Sequence, residues 1–218
     1  MAGAGASVTA GTGAYVPPPG ASLRARLAHR ALRMAGWSVQ FDGSLPAPRG
    51  VIIAYPHTSN WDFFIGLGAI WTLELPIRWV GKETLFTGWL GRVIGPLLRH
   101  WGGRPVFRHH PTGMVGQLAT TLHAEPWFWL ALSPEGTRRR RDHWRSGFYH
   151  LALRAGVPVG MAYFDFPRRE VGICGFVELT GNVEADMAQI ARHYTGRHGR
   201  DAALASPIQL APGAAKPG

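Results

Sequence analysis

His57 and Asp62 are the residues of this chain whose types and spacing speak most directly of chemistry. They stand five positions apart in Tyr55-Pro56-His57-Thr58-Ser59-Asn60-Trp61-Asp62. A carboxylate bonded to one imidazole nitrogen fixes the tautomer and leaves the other nitrogen as a base. A His–Asp pair without a Ser or Cys nucleophile suits removal of a proton from a substrate hydroxyl. The plainer alternative is electrostatic: Asp62 favours a helix N-terminus, and His57 is an ordinary loop histidine.

Two later stretches carry further candidate groups. Ser133-Pro134-Glu135-Gly136-Thr137-Arg138 follows the apolar run Trp127 to Leu132, and Gly102-Gly103-Arg104-Pro105-Val106-Phe107-Arg108 lies between the two. Glycine lets backbone approach a ligand closely, and an arginine can hold a phosphate through two parallel N–H bonds. Taken structurally, Glu135 pairs with a neighbouring arginine and nothing more.

The order H-x-x-x-x-D, then G-x-x-x-x-x-R, then P-E-G-T-R resembles the glycerolipid acyltransferase family, the lysophosphatidate acyltransferases in particular. The resemblance runs from about Val51 to Ile173. It implies a general base at His57 and an orienting carboxylate at Asp62. It also implies an acceptor phosphate near Arg108, Glu135, Gly136, Thr137 and Arg138, and an acyl-donor side at Val157 and Pro158. No metal, no cofactor and no covalent acyl-enzyme are implied; acyl-CoA or acyl-carrier protein enters as a substrate. The oxyanion of the tetrahedral intermediate needs donors, for which backbone N–H groups near Gly136 or Trp61 are candidates. The chain departs from the family pattern at Phe107, where many members carry Asp. It departs again at Ser133 for a usual Phe and at Met161 for the second Pro of the last block.

The elements that must position these residues are legible in outline. Val51 to Ala54 is short, β-branched and bounded by Gly50 and Pro56, so it reads as a buried strand. Phe63 to Ile70 suits a helix packed on a sheet, with Ser59 or Asn60 as its N-cap. His57 then sits where a strand ends and a helix begins. Further strands are expected at 38–41, 77–80, 128–132, 157–164 and 171–176, and further helices at 22–37, 111–124, 147–155 and 183–194. Leu85 to Trp101 reads as a core helix or an interfacial element. Strands alternating with helices predict one α/β domain over residues 21–205, with a mixed, largely parallel sheet flanked by helices. Residues 1–20, rich in Gly, Ala and Pro, and residues 206–218 are expected as disordered tails. The first has no basic start and apolar core, so it does not read as a secretory signal.

Composition narrows the partners. The chain has 218 residues, 46% hydrophobic, with 23 Lys and Arg against 13 Asp and Glu, for a net charge of +10. That charge favours an anionic partner. The single Cys174 excludes an internal disulfide and fits a reducing compartment. No run of ~20 apolar residues is present to span a bilayer. In Ser22 to Trp37, Leu23, Leu27, Ala31 and Met34 recur at helical spacing beside Arg24, Arg26, Arg30 and Arg33, a pattern that can lie among lipid headgroups or dock as a surface helix. The five arginines from Arg138 to Arg145 can bind phosphate backbones, though such a run more commonly makes a solvated face, or here a headgroup contact. His109 and His110 read as plain loop histidines. The resulting expectation is an O-acyltransferase on a lysophospholipid, cytoplasmic and peripheral on the inner face of the cell membrane, with no nucleic acid as partner. Rival expectations are an acyltransferase for a lyso-ornithine lipid or a glycolipid, and a non-catalytic basic module binding membrane or RNA.

Overall fold

The computed structural model describes residues 14–41, 43–106 and 113–214. Arg108, His109 and His110, most of the N-terminal Gly/Ala-rich stretch, and the last four residues lie outside them. The described chain forms a seven-stranded sheet. In chain order the strands are β1 (Ser38–Phe41), β2 (Arg49–Tyr55), β3 (Ile77–Lys82), β4 (Gly103–Val106), β5 (Phe128–Leu132), β6 (Val159–Asp165) and β7 (Glu170–Val177). Across the sheet the order is β1-β7-β6-β2-β5-β3-β4, and every pairing is parallel except the β6–β7 hairpin. The mixed, largely parallel α/β fold expected from sequence is the fold observed.

Helices cover both faces. α1 (Leu23–Met34) and α2 (Trp61–Leu73) pack together on one side. There Leu32, Ile65, Ala69 and Leu73 meet Val39, Phe164 and Val171. α4 (Gly113–Ala124), α5 (Gly147–Ala155) and α6 (Val183–His193) cover the other side, where Leu122, Phe148, Leu151 and Ile190 meet alternate residues of β2, β5 and β6. β2 is the centre of both cores. Its side chains alternate as a strand requires, Val51, Ile53 and Tyr55 into the α5 face and Ala54 toward the α2 face. α3 (Gly88–His100) lies beside β4 with little of its surface covered.

Sequence periodicity located these elements to within a few residues at most, with one omission. β4 is four residues long and contains Pro105, which suits only an edge strand, and its Gly-Arg-Pro composition hides it from pattern reading. One open alternative is narrowed and one expectation needs correction. The apolar stripe of α1 faces outward: Leu23 is 64%, Leu27 54% and Met34 84% exposed, while Ala25, Ala28 and Leu32 make the contact with α2. Small residues let the two helices approach, so the buried stripe is the less hydrophobic one. The chain from Ser206 to Leu210 is also no free tail. Ser206 is fully buried, Trp144 N–H donates to the Gln209 carbonyl, and Trp144 bridges to Leu210. At the other end Tyr15 is tied in, its N–H donating to the Val39 carbonyl.

Candidate active site

β2 ends at Tyr55, and Pro56, joined to it by a cis bond, carries the chain off the sheet. His57 follows in the loop before α2. Asp62 lies in the first turn of α2 and is buried, while the His57 side chain is 21% exposed. The chain reversal brings His57 Nδ1 within 3.0 Å of Asp62 Oδ2. The same oxygen accepts the Ser59 N–H at 2.8 Å, so the carboxylate is fixed by the loop it organises. Asp62 Oδ1 is buried with no hydrogen-bond partner among the described residues. Ser59 Oγ accepts from Trp61 N–H at 3.2 Å, a local tie at the start of the helix, while Asn60 occupies the cap position without a side-chain bond. The Nδ1 contact assigns the proton to Nδ1 and leaves Nε2 as the basic nitrogen.

β5 lies beside β2 in parallel, with Ile53 opposite Leu132. The two strands therefore release their chains at the same edge of the sheet, and residues 78 positions apart meet there. Glu135 Oε2 accepts the backbone N–H of His57 at 2.8 Å. Its Oε1 accepts the backbone N–H of Ser206 at 2.9 Å. Glu135 is 1% exposed. Burial pushes its carboxyl above the ordinary range, and the two backbone N–H donors pull against that shift. Tyr55 runs beneath, donating its hydroxyl to the Ser206 carbonyl at 2.9 Å, and its phenol is pushed up to about 12, first by burial and then by the charge of Glu135.

The other expected site residues divide. Gly136 adopts φ 65°, a left-handed conformation that favours glycine, and a Cβ there would lie 2.6 Å from Arg145 Nε, so that side chain would have to shift. Thr137 Oγ1 accepts from Arg139 N–H at 3.3 Å, shaping the turn. Arg138 is exposed and lines a cleft of about 580 Å³ with Thr58, Ser59, Asn60, Arg200, Asp201, Ala202 and Leu204. Glu135 turns both oxygens to backbone, so its influence on a ligand in that cleft passes through the His57 loop. Val157 and Pro158 are not brought to the site. They lie where β6 begins, the Pro158 carbonyl accepting the Val51 N–H, and Val51 pairs with Val159 at the opposite end of β2. Four strand steps separate Val51 from Tyr55, where β2 ends just before the His57 loop, roughly 13 Å at ~3.3 Å per residue. Of the N–H groups near Gly136 and Trp61 that are candidates for an oxyanion, those of Gly136 and Trp61 themselves are engaged locally, with the Ser133 carbonyl at 3.1 Å and with Ser59 Oγ.

Sequence reasoning missed Arg200, Asp201 and Ser206. They sit in Gly199-Arg200-Asp201 and just beyond, with no motif of their own, and only the charged, glycine-containing loop after α6 marks them. Among the described residues no three His, Cys, Asp or Glu side chains gather as a metal-ligating set. Cys174 is held by burial at a thiol value of about 11, remote from thiolate chemistry.

A His–carboxylate pair at the carboxyl end of a central parallel strand, beside a cleft carrying arginines, has the chemistry to move a proton, and the arginines have the chemistry to hold an anion. The acyltransferase family model matches residues 38–162, more than half of the chain, and the protein belongs to that family. Among solved structures it resembles the 1-acyl-sn-glycerophosphate acyltransferase PlsC of Thermotoga maritima, with a TM-score of 0.50 and 20% identity over 77% of this chain and 73% of that one. At that identity the likeness is one of fold. Among curated proteins none matches significantly.

Proposed function

We propose that this acyltransferase moves a fatty acyl group from an acyl thioester to the free glycerol hydroxyl of a lysophospholipid of the 1-acyl-glycerol-3-phosphate type. The observation that carries the reading is the 3.0 Å contact between His57 Nδ1 and Asp62, next in the chain to Thr58, Ser59 and Asn60, which line a cleft together with Arg138. Support comes from the family match and from the PlsC-like fold, whose solved relative acts on 1-acyl-sn-glycerophosphate.

In this mechanism His57 Nε2 takes the hydroxyl proton as the acceptor oxygen attacks the thioester carbonyl carbon. Asp62 stabilises the imidazolium that forms. The tetrahedral intermediate collapses with loss of the thiolate, which leaves with the proton held on Nε2. The products are a diacyl lipid and a free thiol, with acyl-CoA or acyl-carrier protein as the donor. Arg138 holds the acceptor phosphate, and Arg108 is assigned to the same task by its position in the family motif alone. The enzyme works at an anionic membrane surface, docked through the outward Leu23, Leu27 and Met34 of α1 with their neighbouring arginines, and through Trp89, Val93 and Leu97 of α3.

The test is a product screen by mass spectrometry, with purified protein, a mixture of lysolipids and a labelled acyl thioester. Labelled phosphatidate and stoichiometric thiol are expected. Label in a lyso-ornithine lipid or glycolipid instead would reassign the acceptor, and no labelled lipid at all would defeat the reading. Arg138→Ala is expected to raise KM for lysophosphatidate about tenfold or more, the worth of a hydrogen bond to a charged group, and to leave KM for the thioester unchanged.

A further inference from the structure

The family match ends at residue 162, yet one wall of the cleft beside His57 comes from far beyond it. After α6 the chain recrosses the carboxyl edge of the sheet as a strap. Its His198 carbonyl accepts the Phe166 N–H at 2.9 Å. Gly199 is buried so tightly against the His57 loop that a Cβ would fall 2.6 Å from Thr58 Oγ1 and 3.3 Å from Pro56 Cβ. Asp201 N–H donates to Thr58 Oγ1 at 3.2 Å, and Ser206 N–H to Glu135 at 2.9 Å. Arg140 Nη1 donates to the Ala205 carbonyl at 3.0 Å. The strap is thus fastened to both motifs of the site, and residues 200–204 hang between the fastenings.

Those residues form the wall that faces Thr58, Ser59, Asn60 and Arg138. Arg200 is exposed there, and among the described residues neither it nor Arg138 has an ion-pair partner. The nearby Asp201 carboxylate is turned to the strap's own backbone, Oδ1 accepting the Ala203 N–H at 3.1 Å. Two unpaired guanidinium groups in one cleft offer two forks of donors to one anion.

We infer that Arg200 is a second anion-binding residue of the acceptor site, acting with Arg138 to select a phosphomonoester headgroup over a phosphodiester. This rests on the acyl-transfer reading above. A phosphomonoester carries between one and two negative charges near neutral pH and three terminal oxygens, enough to engage both guanidinium groups. A diester carries one charge and two free oxygens, and its second substituent must find room against the strap.

The experiment compares wild type, Arg200→Ala and Arg200→Lys on lysophosphatidate and lysophosphatidylglycerol of the same acyl chain. Binding of short-chain lysophosphatidate by calorimetry is measured in parallel. Arg200→Ala is expected to raise KM for lysophosphatidate about tenfold or more, to leave kcat and the thioester KM near wild type, and to erode the monoester preference. Arg200→Lys restores part of the loss, since it returns the charge without the fork. Unchanged KM, preference and calorimetric affinity in Arg200→Ala overturn the inference, as does an equal rise in both substrates' KM. If wild type turns over no lysophosphatidate yet binds it in an Arg200-dependent way, the anion site stands and the acyl-transfer reading falls. If wild type neither turns it over nor binds it, both fall.

Discussion

At the scale of single residues, the 3.0 Å contact between His57 and Asp62 sets the imidazole tautomer, and the proposed function makes His57 the base. His57→Ala is expected to lower kcat by ~10²–10⁴-fold, the usual span for loss of a general base, with circular dichroism unchanged. Asp62→Asn is expected to be comparably severe, because an amide can donate to Nδ1 and so favour the wrong tautomer. Near-wild-type turnover by either folded variant would rule out the base assignment. Glu135 belongs to a different kind of residue. Its carboxylate holds the backbone of His57 and of Ser206, and its neighbours leave it no route to a ligand. Glu135→Ala leaves two buried N–H donors unsatisfied, at about 1–3 kcal/mol each. The expected outcome is a lower melting temperature and a lower kcat at little-changed acceptor KM. A rise in acceptor KM alone would instead put the carboxylate in contact with the acceptor.

At the scale of elements, the strap depends on α6 being held to the sheet. The N-terminus of α6 is clamped by Asp186, a buried carboxylate that accepts from the Tyr149 hydroxyl of α5 at 2.6 Å, from Thr180 N–H at 3.0 Å and from Thr180 Oγ1 at 2.8 Å. Burial alone would push its pKa up. The hydrogen bonds from Tyr149, Thr180 and Gly181 outweigh burial and hold it below the ordinary value. A carboxyl depressed on folding contributes stability that is full above its unfolded value, near pH 3.9, and is lost as pH falls through its lower folded value. Asp186→Asn is therefore expected to cost about 1.5–3 kcal/mol near neutrality, the worth of a hydrogen bond to a charged group. The gap to wild type should narrow below about pH 4. Urea unfolding of both proteins at neutral and acid pH measures it, and a gap independent of pH would show that the carboxylate charge is not what holds the helix.

At the scale of the whole molecule, the proposed membrane attachment rests on the net charge of +10 together with the two outward apolar helix faces. No helix among the described residues is long and apolar enough to cross a membrane. Each basic residue near an anionic surface contributes ~1 kcal/mol, which gives reversible, salt-sensitive attachment. Apolar side chains entering the headgroup layer add a component that salt does not remove. Vesicles containing phosphatidylglycerol should sediment the wild-type protein strongly at low salt and partly at high salt. Leu27→Glu with Met34→Glu, or Trp89→Glu with Val93→Glu, is expected to abolish the salt-resistant part. Point changes are preferable to deleting α1, whose Leu32 belongs to the core shared with α2 and whose Ala25 and Ala28 are buried. Wild-type protein remaining in the supernatant at low salt would remove the membrane from the account.

The sequence by itself determined what short-range forces decide. Period-2 and period-3.6 patterns laid out most strands and helices, and the H-x-x-x-x-D spacing across a strand–helix turn sufficed to bring Asp62 back onto His57. The partners lie within one turn of chain, so no distant element has to be placed first. What only the tertiary structure decided were the meetings set by strand order. Glu135 reaches His57 because β5 lies beside β2, whereas Val157 and Pro158 are carried to the far edge because β6 starts where β2 starts. The outward stripe of α1 was legible as a pattern, but its direction was not, since small alanines pack a helix closer than leucines do. Ser206 and Arg200 belong to no motif, and only the charged, glycine-containing loop after α6 hints at them. Their places follow from a strap fastened to Glu135 and Thr58, bonds that span 71 and 143 positions of chain. No window of neighbouring residues encodes them.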